Sequence, residues 1–212
     1  MTFLFCYDKQ MRKIVVLSMI TLDGVMQAPG GPEEDKSDGF EYGGWTVPFN
    51  DDFSRKIITD QLSMPFDLLL GRKTYDIFAS YWPKQDPTGP VSNPFNNAIK
   101  YVVSNSSPQL TWEKSALVDG DVTSKLKELK SQEDRPMLQV HGSGNLIQTL
   151  LKEDLVDELW LKIFPITLGK GKKLFAEGTI PKAFELLESN ISPNGVIFAN
   201  YRRNGPVITG SF

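Results

Sequence analysis

Cysteine and histidine are nearly absent from this chain, whose 212 residues include one of each, Cys6 and His141. A single cysteine excludes an internal disulfide framework and every zinc site that needs several cysteines. One histidine cannot hold a metal ion by itself. We therefore predict no metal site, and a protein suited to a reducing compartment, which indicates a cytoplasmic location.

The chain also has no large excess of charge of either sign and no long apolar run. Its 23 basic and 26 acidic residues give a net charge of -3, and they form no basic stretch suited to nucleic acid or anionic lipid. The apolar opening, residues 1–7, lacks a basic segment before it and is too short for a signal peptide or a membrane span. We expect a small-molecule partner, and neither nucleic acid nor a membrane.

The first residues of the chain are predicted to form a tail. Met11 precedes Arg12, Lys13 and a clear strand, so it is a second possible translation start. The segment before Met11 is therefore either native sequence or an added one, and the residues leave both alternatives open.

From residue 13 onward, apolar strand-like runs alternate with stretches of helical periodicity. Strands are predicted at 13–20, 66–70, 100–103 and 137–140, and helices at 53–62, 72–81, 123–129 and 146–151. Three strand-like segments follow, 156–164, 183–188 and 196–203, with no long helix between them. The glycine- and proline-rich stretch 21–45 is predicted to be a long loop and a candidate lid.

This order of elements predicts one α/β domain over residues 12–204, with tails at 1–11 and 205–212. The alternating part favours a mixed, mostly parallel central sheet flanked by helices on both faces. The consecutive strands near the end of the chain predict a mainly antiparallel C-terminal edge.

Glycines stand at two junctions between a strand and a helix, at Gly71 and at the segment 142–144. Helix N-termini present free N–H groups and a positive dipole end, and glycine lets a phosphate approach closely. Glycine at either junction alone is equally explained by a tight turn. Two cations and a hydroxyl follow the first junction, where a turn alone would not need them: Arg72, Lys73 and Thr74. Together the junctions predict a dinucleotide site.

Three segments make a specific resemblance. Residues 69–75, Leu-Leu-Gly-Arg-Lys-Thr-Tyr, resemble the strand, glycine and Arg-x-Thr segment of dihydrofolate reductases. Residues 102–104 are similar to the strand end whose serine binds the 2'-phosphate of NADPH, and residues 137–147 to the second glycine turn of that family. The three segments also agree in order and spacing.

Two further segments resemble the reductase domain of the riboflavin-pathway deaminase-reductases more than the folate enzymes. They are residues 18–24, Ser-Met-Ile-Thr-Leu-Asp-Gly, and residues 156–175, with Val-Asp-Glu-Leu and Pro-Ile-Thr-Leu-Gly-Lys-Gly. The likeness covers residues 12–204. The zinc ligands of the deaminase half, H-x-E and P-C-x-x-C, are absent, so a stand-alone reductase domain is indicated.

The resemblance implies a dihydrofolate reductase-like fold, NADPH as cofactor and a homodimer. It places the cofactor pyrophosphate at the two glycine junctions, the 2'-phosphate at Arg72 and Ser104, and the nicotinamide near Met19, Ile20 and Met26. The full set of expected cofactor residues is Met19, Ile20, Met26, Gly71, Arg72, Lys73, Thr74, Ser104, Asn105, His141, Gly142, Ser143, Gly144, Asn145 and Leu146.

The implied reaction is hydride transfer from NADPH to a C=N or C=O carbon of a small heterocycle. The most specific substrate that the resemblance suggests is 5-amino-6-(5-phosphoribosylamino)uracil, with dihydrofolate or another pteridine as the alternative. A non-catalytic NADPH-binding regulatory protein is an alternative of another class. A plain oligomeric scaffold would not need the two glycine junctions.

The proton donor is left open among Asp23, Asp51, Asp52 and water. Folate reductases place a carboxylate after a Trp-x-x-Pro segment, where this chain has Asn50, so folate specificity is disfavoured. Helix capping is the favoured explanation of Asn50 and Asp51, and an Asp-Gly turn explains Asp23 as well as a role in the site does. His141 is predicted to line the cofactor site or to be structural, with acid catalysis as the alternative. The expected substrate residues are Asp23, Trp45, Asn50 and Phe78.

Overall fold

A computed structural model describes residues 11–177 and 179–211. The described strands are β1 (Ile14–Thr21), β2 (Phe66–Gly71), β3 (Lys100–Val103), β4 (Ser115–Val118), β5 (Met137–Val140), β6 (Glu158–Phe164), β7 (Phe184–Ile191) and β8 (Ile197–Arg203). The helices are α1 (Asp52–Ser63), α2 (Arg72–Tyr81), α3 (Ser92–Asn97), α4 (Val122–Ser131) and α5 (Gly144–Lys152), with short 3-10 turns at Ser37–Gly39, Val47–Phe49 and Trp82–Lys84.

The strands form one sheet in the order β4-β3-β2-β5-β1-β6-β8-β7. All neighbouring pairs from β4 to β6 are parallel, β8 runs antiparallel to β6, and β7 runs antiparallel to β8. This architecture confirms the predicted α/β fold with a mostly parallel sheet. The antiparallel edge begins one strand later than the sequence pattern indicated, because β6 pairs with β1 in parallel.

Two short elements were not predicted, α3 and β4. The proline- and asparagine-rich segment before β3 suggested a connection, yet it contains the six-residue helix α3. Strand β4 has four residues, of which only Val118 is buried, so it carries too little hydrophobic periodicity to be recognised. The tail predicted at 1–11 lies outside the described residues except for Met11, and so does Cys6. Residues 205–211 form no helix or strand.

Helices cover the sheet on both faces. On one face, Ile14 and Val16 of β1 pack in a core with side chains of α4 and α5. On the other face, Leu68 and Leu70 of β2 pack with Tyr75 and with side chains of α1 and α3. Burial on both faces explains why the central strands are continuously apolar. The ends of the parallel strands, where no helix lies across them, are left for a site.

An ion pair joins the N-terminal ends of four parallel strands. Arg12 precedes β1, is 2% exposed and pairs with Asp67 of β2, which is 5% exposed. The Asp67 carboxylate also accepts a hydrogen bond from Ile99 N, at 3.1 Å, just before β3. Arg12 Nε donates to the carbonyl oxygen of Pro136, just before β5. Two buried side chains thus connect the entries to β1, β2, β3 and β5.

No helix in the described part of the chain combines the length and the apolar character needed to cross a membrane.

We predict that Asp67→Asn lowers the free energy of unfolding by about 3 kcal/mol or more, because it leaves the buried Arg12 guanidinium without a counter-charge. Urea unfolding followed by circular dichroism measures this change. Asp52→Asn is the matched control, since Asp52 pairs with Arg55 at the surface and its side chain is 97% exposed. That control should leave stability almost unchanged. Equal effects of the two variants would contradict the prediction.

Candidate functional site

A cavity of about 270 Å³ opens at the carboxyl ends of the central strands. Its walls come from the end of β1, from the first turns of α2 and α5, and from the loop that follows β1. Parallel strands end at one edge of a sheet and lead there into helix N-termini, so ligand sites of α/β proteins form at this edge. The cavity lies where the sequence predicted the cofactor.

The two predicted glycine junctions contact each other directly. Gly71 N, at the end of β2, donates a hydrogen bond to Gly142 O, just after β5, at 3.0 Å. A Cβ on Gly71 would overlap the side chain of Ser143, and one on Gly142 would lie 2.6 Å from Thr74 Oγ1. Gly142 has a φ of +147°, and its peptide bond to Ser143 is cis. Packing of one junction on the other therefore explains why both positions are glycine.

Gly144, the first residue of α5, is glycine for a different reason. A Cβ there would meet no atom nearer than Met26 Sδ at 3.9 Å, so the fold does not require glycine. Gly144 and Asn145 both line the cavity, at the N-terminal end of a helix of nine residues. Open space in front of free helix N–H groups is what a phosphate group needs.

Arg72 and Ser104 follow neighbouring strand ends, because Gly71 pairs with Val103 between β2 and β3. Arg72 Nε donates to both carboxylate oxygens of Asp76 at 2.7 Å on the surface. The Ser104 hydroxyl accepts a hydrogen bond from Ser106 N at 3.2 Å. Both residues lie beyond the cavity lining, on the side of β3.

Asp35 joins the predicted lid loop to two other segments of the chain. The carboxylate of Asp35 contacts Lys73 Nζ of α2 at 2.5 Å and Lys172 Nζ at 2.9 Å. Burial alone would raise the pKa of Asp35, but hydrogen bonds from Lys73, Ser37 and Lys172 hold it far below its usual range. The ionised carboxylate therefore links the loop to α2 and to the basic turn near residue 172.

His141 and Phe78 form an aromatic wall of the cavity. Their ring centroids are 6.0 Å apart, and His141 also contacts Phe95 at 5.1 Å. Burial, with a smaller contribution from the charge of Lys162, lowers the pKa of His141 to about 3. The imidazole is therefore neutral near pH 7, and its Nε2 lies 3.3 Å from Gln139 Oε1. A neutral imidazole suits a lining role better than acid catalysis.

Lys162 is a cavity residue that the sequence analysis missed. It lies in β6, is 5% exposed, and makes no hydrogen bond or ion pair with any residue of the described ranges. Burial lowers its pKa to about 8, so the ammonium is still largely charged at pH 7. A lone charge inside the otherwise apolar run Leu-Trp-Leu-Lys-Ile-Phe was the signal that could have identified it. Ser18 also lines the cavity. Its hydroxyl is buried and has no hydrogen-bond partner among the described residues.

Asp23 stabilises a turn and does not line the cavity. Its carboxylate accepts hydrogen bonds from the Thr21 hydroxyl, from Gly169 N at 2.7 Å and from Leu168 N at 3.3 Å. The Thr21 bond is the main cause that holds the pKa of Asp23 below its ordinary value. These contacts join the loop after β1 to the turn after β6, so the Asp23 carboxylate has a structural role whether or not it takes part in catalysis.

The acidic residues before α1 likewise have structural partners. Asp51 is the N-cap of α1 and accepts from Ser54 N at 2.7 Å. Asn50 Oδ1 accepts from Arg55 Nη1 at 3.0 Å, and Asp52 pairs with the same arginine. None of the three polar groups lines the cavity. The catalytic roles assigned to Asp23, Asp51 and Asp52 stay predictions.

The structure gathers most, but not all, of the expected site residues. Those that line the cavity are Met19, Met26, Lys73, Thr74, His141, Gly142, Ser143, Gly144, Asn145 and Phe78. Those outside the lining are Ile20, Gly71, Arg72, Ser104, Asn105, Leu146, Asp23, Trp45 and Asn50. Ile20 and Leu146 are core residues, and Trp45 is buried with its indole Nε1 donating to Gln27 O at 2.8 Å.

Within the described ranges, no three His, Cys, Asp or Glu side chains are placed to hold a metal ion.

The depressed pKa of His141 predicts a loss of stability in mild acid. Unfolded histidine binds a proton below about pH 6.5, whereas the native imidazole stays neutral down to about pH 3. The unfolded state therefore binds more protons in that window, and stability falls as pH falls. Between pH 7 and pH 5 the wild type should lose about 2 kcal/mol more than His141→Gln in urea unfolding. Equal losses in both proteins would mean that the imidazole titrates normally in the native state.

Comparison with known proteins supports what the geometry indicates. Residues 12–198 match the model of the RibD C-terminal domain. A curated relative, the uncharacterized protein YyaP of Bacillus subtilis (strain 168), is 25% identical over 197 residues, which cover 92% of this chain and 96% of YyaP.

Two solved structures show the same fold. A "Putative riboflavin biosynthesis protein" from Shewanella sp. PV-4 is 25% identical, with a TM-score of 0.65 over 91% of this chain and 99% of that one. The dihydrofolate reductase of Enterococcus faecalis, complexed with NADP(H) and RAB-propyl, is 16% identical, with a TM-score of 0.56 over 91% of this chain and 96% of that one. With its glycine junctions at the carboxyl edge of a mostly parallel sheet, the chain has a dihydrofolate reductase-like fold and belongs to the RibD C-terminal domain family.

Proposed function

We propose that this protein is an NADPH-dependent reductase that transfers hydride to a C=N or C=O carbon of a small heterocyclic substrate. The observation that carries the proposal is the meeting of two strand-to-helix junctions at one cavity, with Lys73, Thr74 and the N-terminus of α5 along its wall. Membership of a reductase domain family agrees with this chemistry.

The residues present fit a dinucleotide phosphate. The free N–H groups of α5 at Gly144 and Asn145 face open space, and Lys73 adds a positive charge on the same wall. Arg72 and Ser104, at the ends of β2 and β3, are close enough along the sheet edge to bind one further phosphate together. Arg72 is held only by a surface ion pair with Asp76, which costs little to exchange for a phosphate.

The remaining walls suit a reaction that needs water to be excluded. When bound, the cofactor supplies the hydride from C4 of its nicotinamide ring. Met19, Met26 and Phe78 provide apolar surface for two stacked rings, and the Asp35 ion pairs keep the loop over them. This chain orients the rings and limits solvent access, while the proton that completes the reduction comes from an acid or from water.

A ribosylaminopyrimidine such as 5-amino-6-(5-phosphoribosylamino)uracil is the substrate we propose first, from the family of the chain. A pteridine is the weaker candidate, because Asn50 faces Arg55 instead of the cavity and offers no carboxylate. A regulatory protein would bind NADPH as well, but would not oxidise it when either class of heterocycle is added.

Arg72→Ala should weaken NADPH binding about tenfold or more and leave NADH binding unchanged, because only NADPH carries the 2'-phosphate. Quenching of tryptophan fluorescence during titration with each nucleotide measures both affinities. Arg55→Ala is the matched control, since Arg55 is also a helix arginine paired with an aspartate at the surface. If the wild type binds neither NADPH nor NADH, the proposed function is wrong.

Gly144→Ala separates cofactor binding from folding. The added methyl group has space in the protein and lies in a helix, so the melting temperature should not fall. It occupies the place where a phosphate would approach the helix N-terminus, and NADPH affinity should drop about tenfold or more. Thermal unfolding and the same titration provide the two readouts. Unchanged NADPH affinity would show that the pyrophosphate does not lie at α5.

A further inference from the structure

The charged residues of the cavity wall are paired, with one exception. Lys73 and Lys172 share the single carboxylate of Asp35, and Glu34 accepts a hydrogen bond from the backbone of its own loop. Lys162 has no hydrogen-bond or ion-pair partner in residues 11–177 and 179–211. The inner part of the cavity therefore presents one uncompensated positive charge.

Such a charge is costly to the fold. A lysine side chain buried to this extent without a partner loses most of its hydration, so buried lysines are normally paired. The neighbours of Lys162 in β6 are Leu161 and Ile163, and an apolar side chain at this position would suit the strand better. A ligand that brings a negative charge into the cavity would supply the missing partner.

The position of Lys162 separates it from the glycine junctions. Lys162 is opposite Met19 in the pairing of β6 with β1, and β1 lies between β6 and β5. Because adjacent strands are about 4.8 Å apart, the backbone of Lys162 is roughly 10 Å from the strand that leads into Gly142. The charge of Lys162 nevertheless contributes to the lowered pKa of His141, which precedes Gly142. We assign the negative group to a second ligand of the cavity, and the NADPH affinity of Lys162→Met tests that assignment against the cofactor.

The walls beside Lys162 favour a flat ligand. Phe78 and the neutral ring of His141 offer aromatic surface, and Met19 adds a polarizable thioether. A planar ring fits between such groups, and an ionised oxygen on its rim can reach the ammonium.

We infer that Lys162 makes the inner cavity a site for a planar heterocycle that carries an ionised oxygen attached to a ring carbon. The assignment of that heterocycle as the substrate to be reduced rests on the proposed function. The binding of the anion does not, so the two can be tested separately.

The test compares two pyrimidines of similar size and different charge. Barbiturate is an anion at neutral pH, and uracil is neutral. Isothermal titration calorimetry with each compound, in the presence and absence of NADPH, is carried out on the wild type, Lys162→Met and Lys162→Arg. Lys170→Met is the matched control, because Lys170 is an exposed lysine outside the cavity lining.

The wild type should bind barbiturate at least about tenfold more tightly than uracil. Lys162→Met should lose that preference while its NADPH affinity stays unchanged, and Lys162→Arg and Lys170→Met should keep it. No preference in the wild type, or a preference retained by Lys162→Met, overturns the inference. A large loss of NADPH affinity in Lys162→Met also overturns it, because the lysine would then serve the cofactor. If the wild type prefers barbiturate but does not bind NADPH, the anion site at Lys162 is supported and only the proposed reductase function is contradicted.

Thermal unfolding gives a second readout that a structural lysine would not share. Lys162→Met should raise the melting temperature, because it removes an unpaired buried charge. Lys100→Met should lower it, since Lys100 is equally buried but donates to Asn96 O at 2.7 Å and lies 4.3 Å from the centre of the Trp112 ring. A lower melting temperature for Lys162→Met would assign the lysine to the fold and overturn the inference.

Discussion

The ion pair between Arg12 and Asp67 sets the arrangement on which the remaining structure depends. It joins the entries of four parallel strands at one edge of the sheet, through Ile99 and Pro136 as well as through its own charges. Strands aligned at their entries also end close together, so the two glycine junctions come into contact at the opposite edge. The Arg12–Asp67 pair thus lies at the edge of the sheet opposite the cavity, where it does not occupy space that a ligand would need.

Most of the fold could be predicted because its central strands are buried on both faces and its helices have regular apolar spacing. The bounds of β3, β5 and α2 coincide with the predicted ones. The direction of β6 could not be predicted from the sequence, because its parallel pairing with β1 depends on a strand about 140 residues away. Elements α3 and β4 are too short for a hydrophobic period to be visible.

The site was predictable where its chemistry is local. Glycine turns and the Lys73-Thr74 pair are continuous in sequence with the helices that they precede, and all reach one region of the structure. The contacts of Asp35 could not be derived, since they depend on segments that only the folded chain brings together. Lys162 had one local signal, its charge within the apolar strand β6. Asp23 and Asp51 illustrate the reverse case, in which turn and capping geometry uses the carboxylate that sequence reasoning assigned to catalysis.

The contact between the two glycine junctions limits which side chains either turn of this chain can accept. A side chain on Gly71 would meet both the side chain and the backbone nitrogen of Ser143, so even a smaller residue at position 143 would not make room. A side chain on Gly142 would meet Thr74, on the helix that follows Gly71. In this chain the two turns therefore form one packed unit, so a side chain added in either turn requires a compensating change in the other.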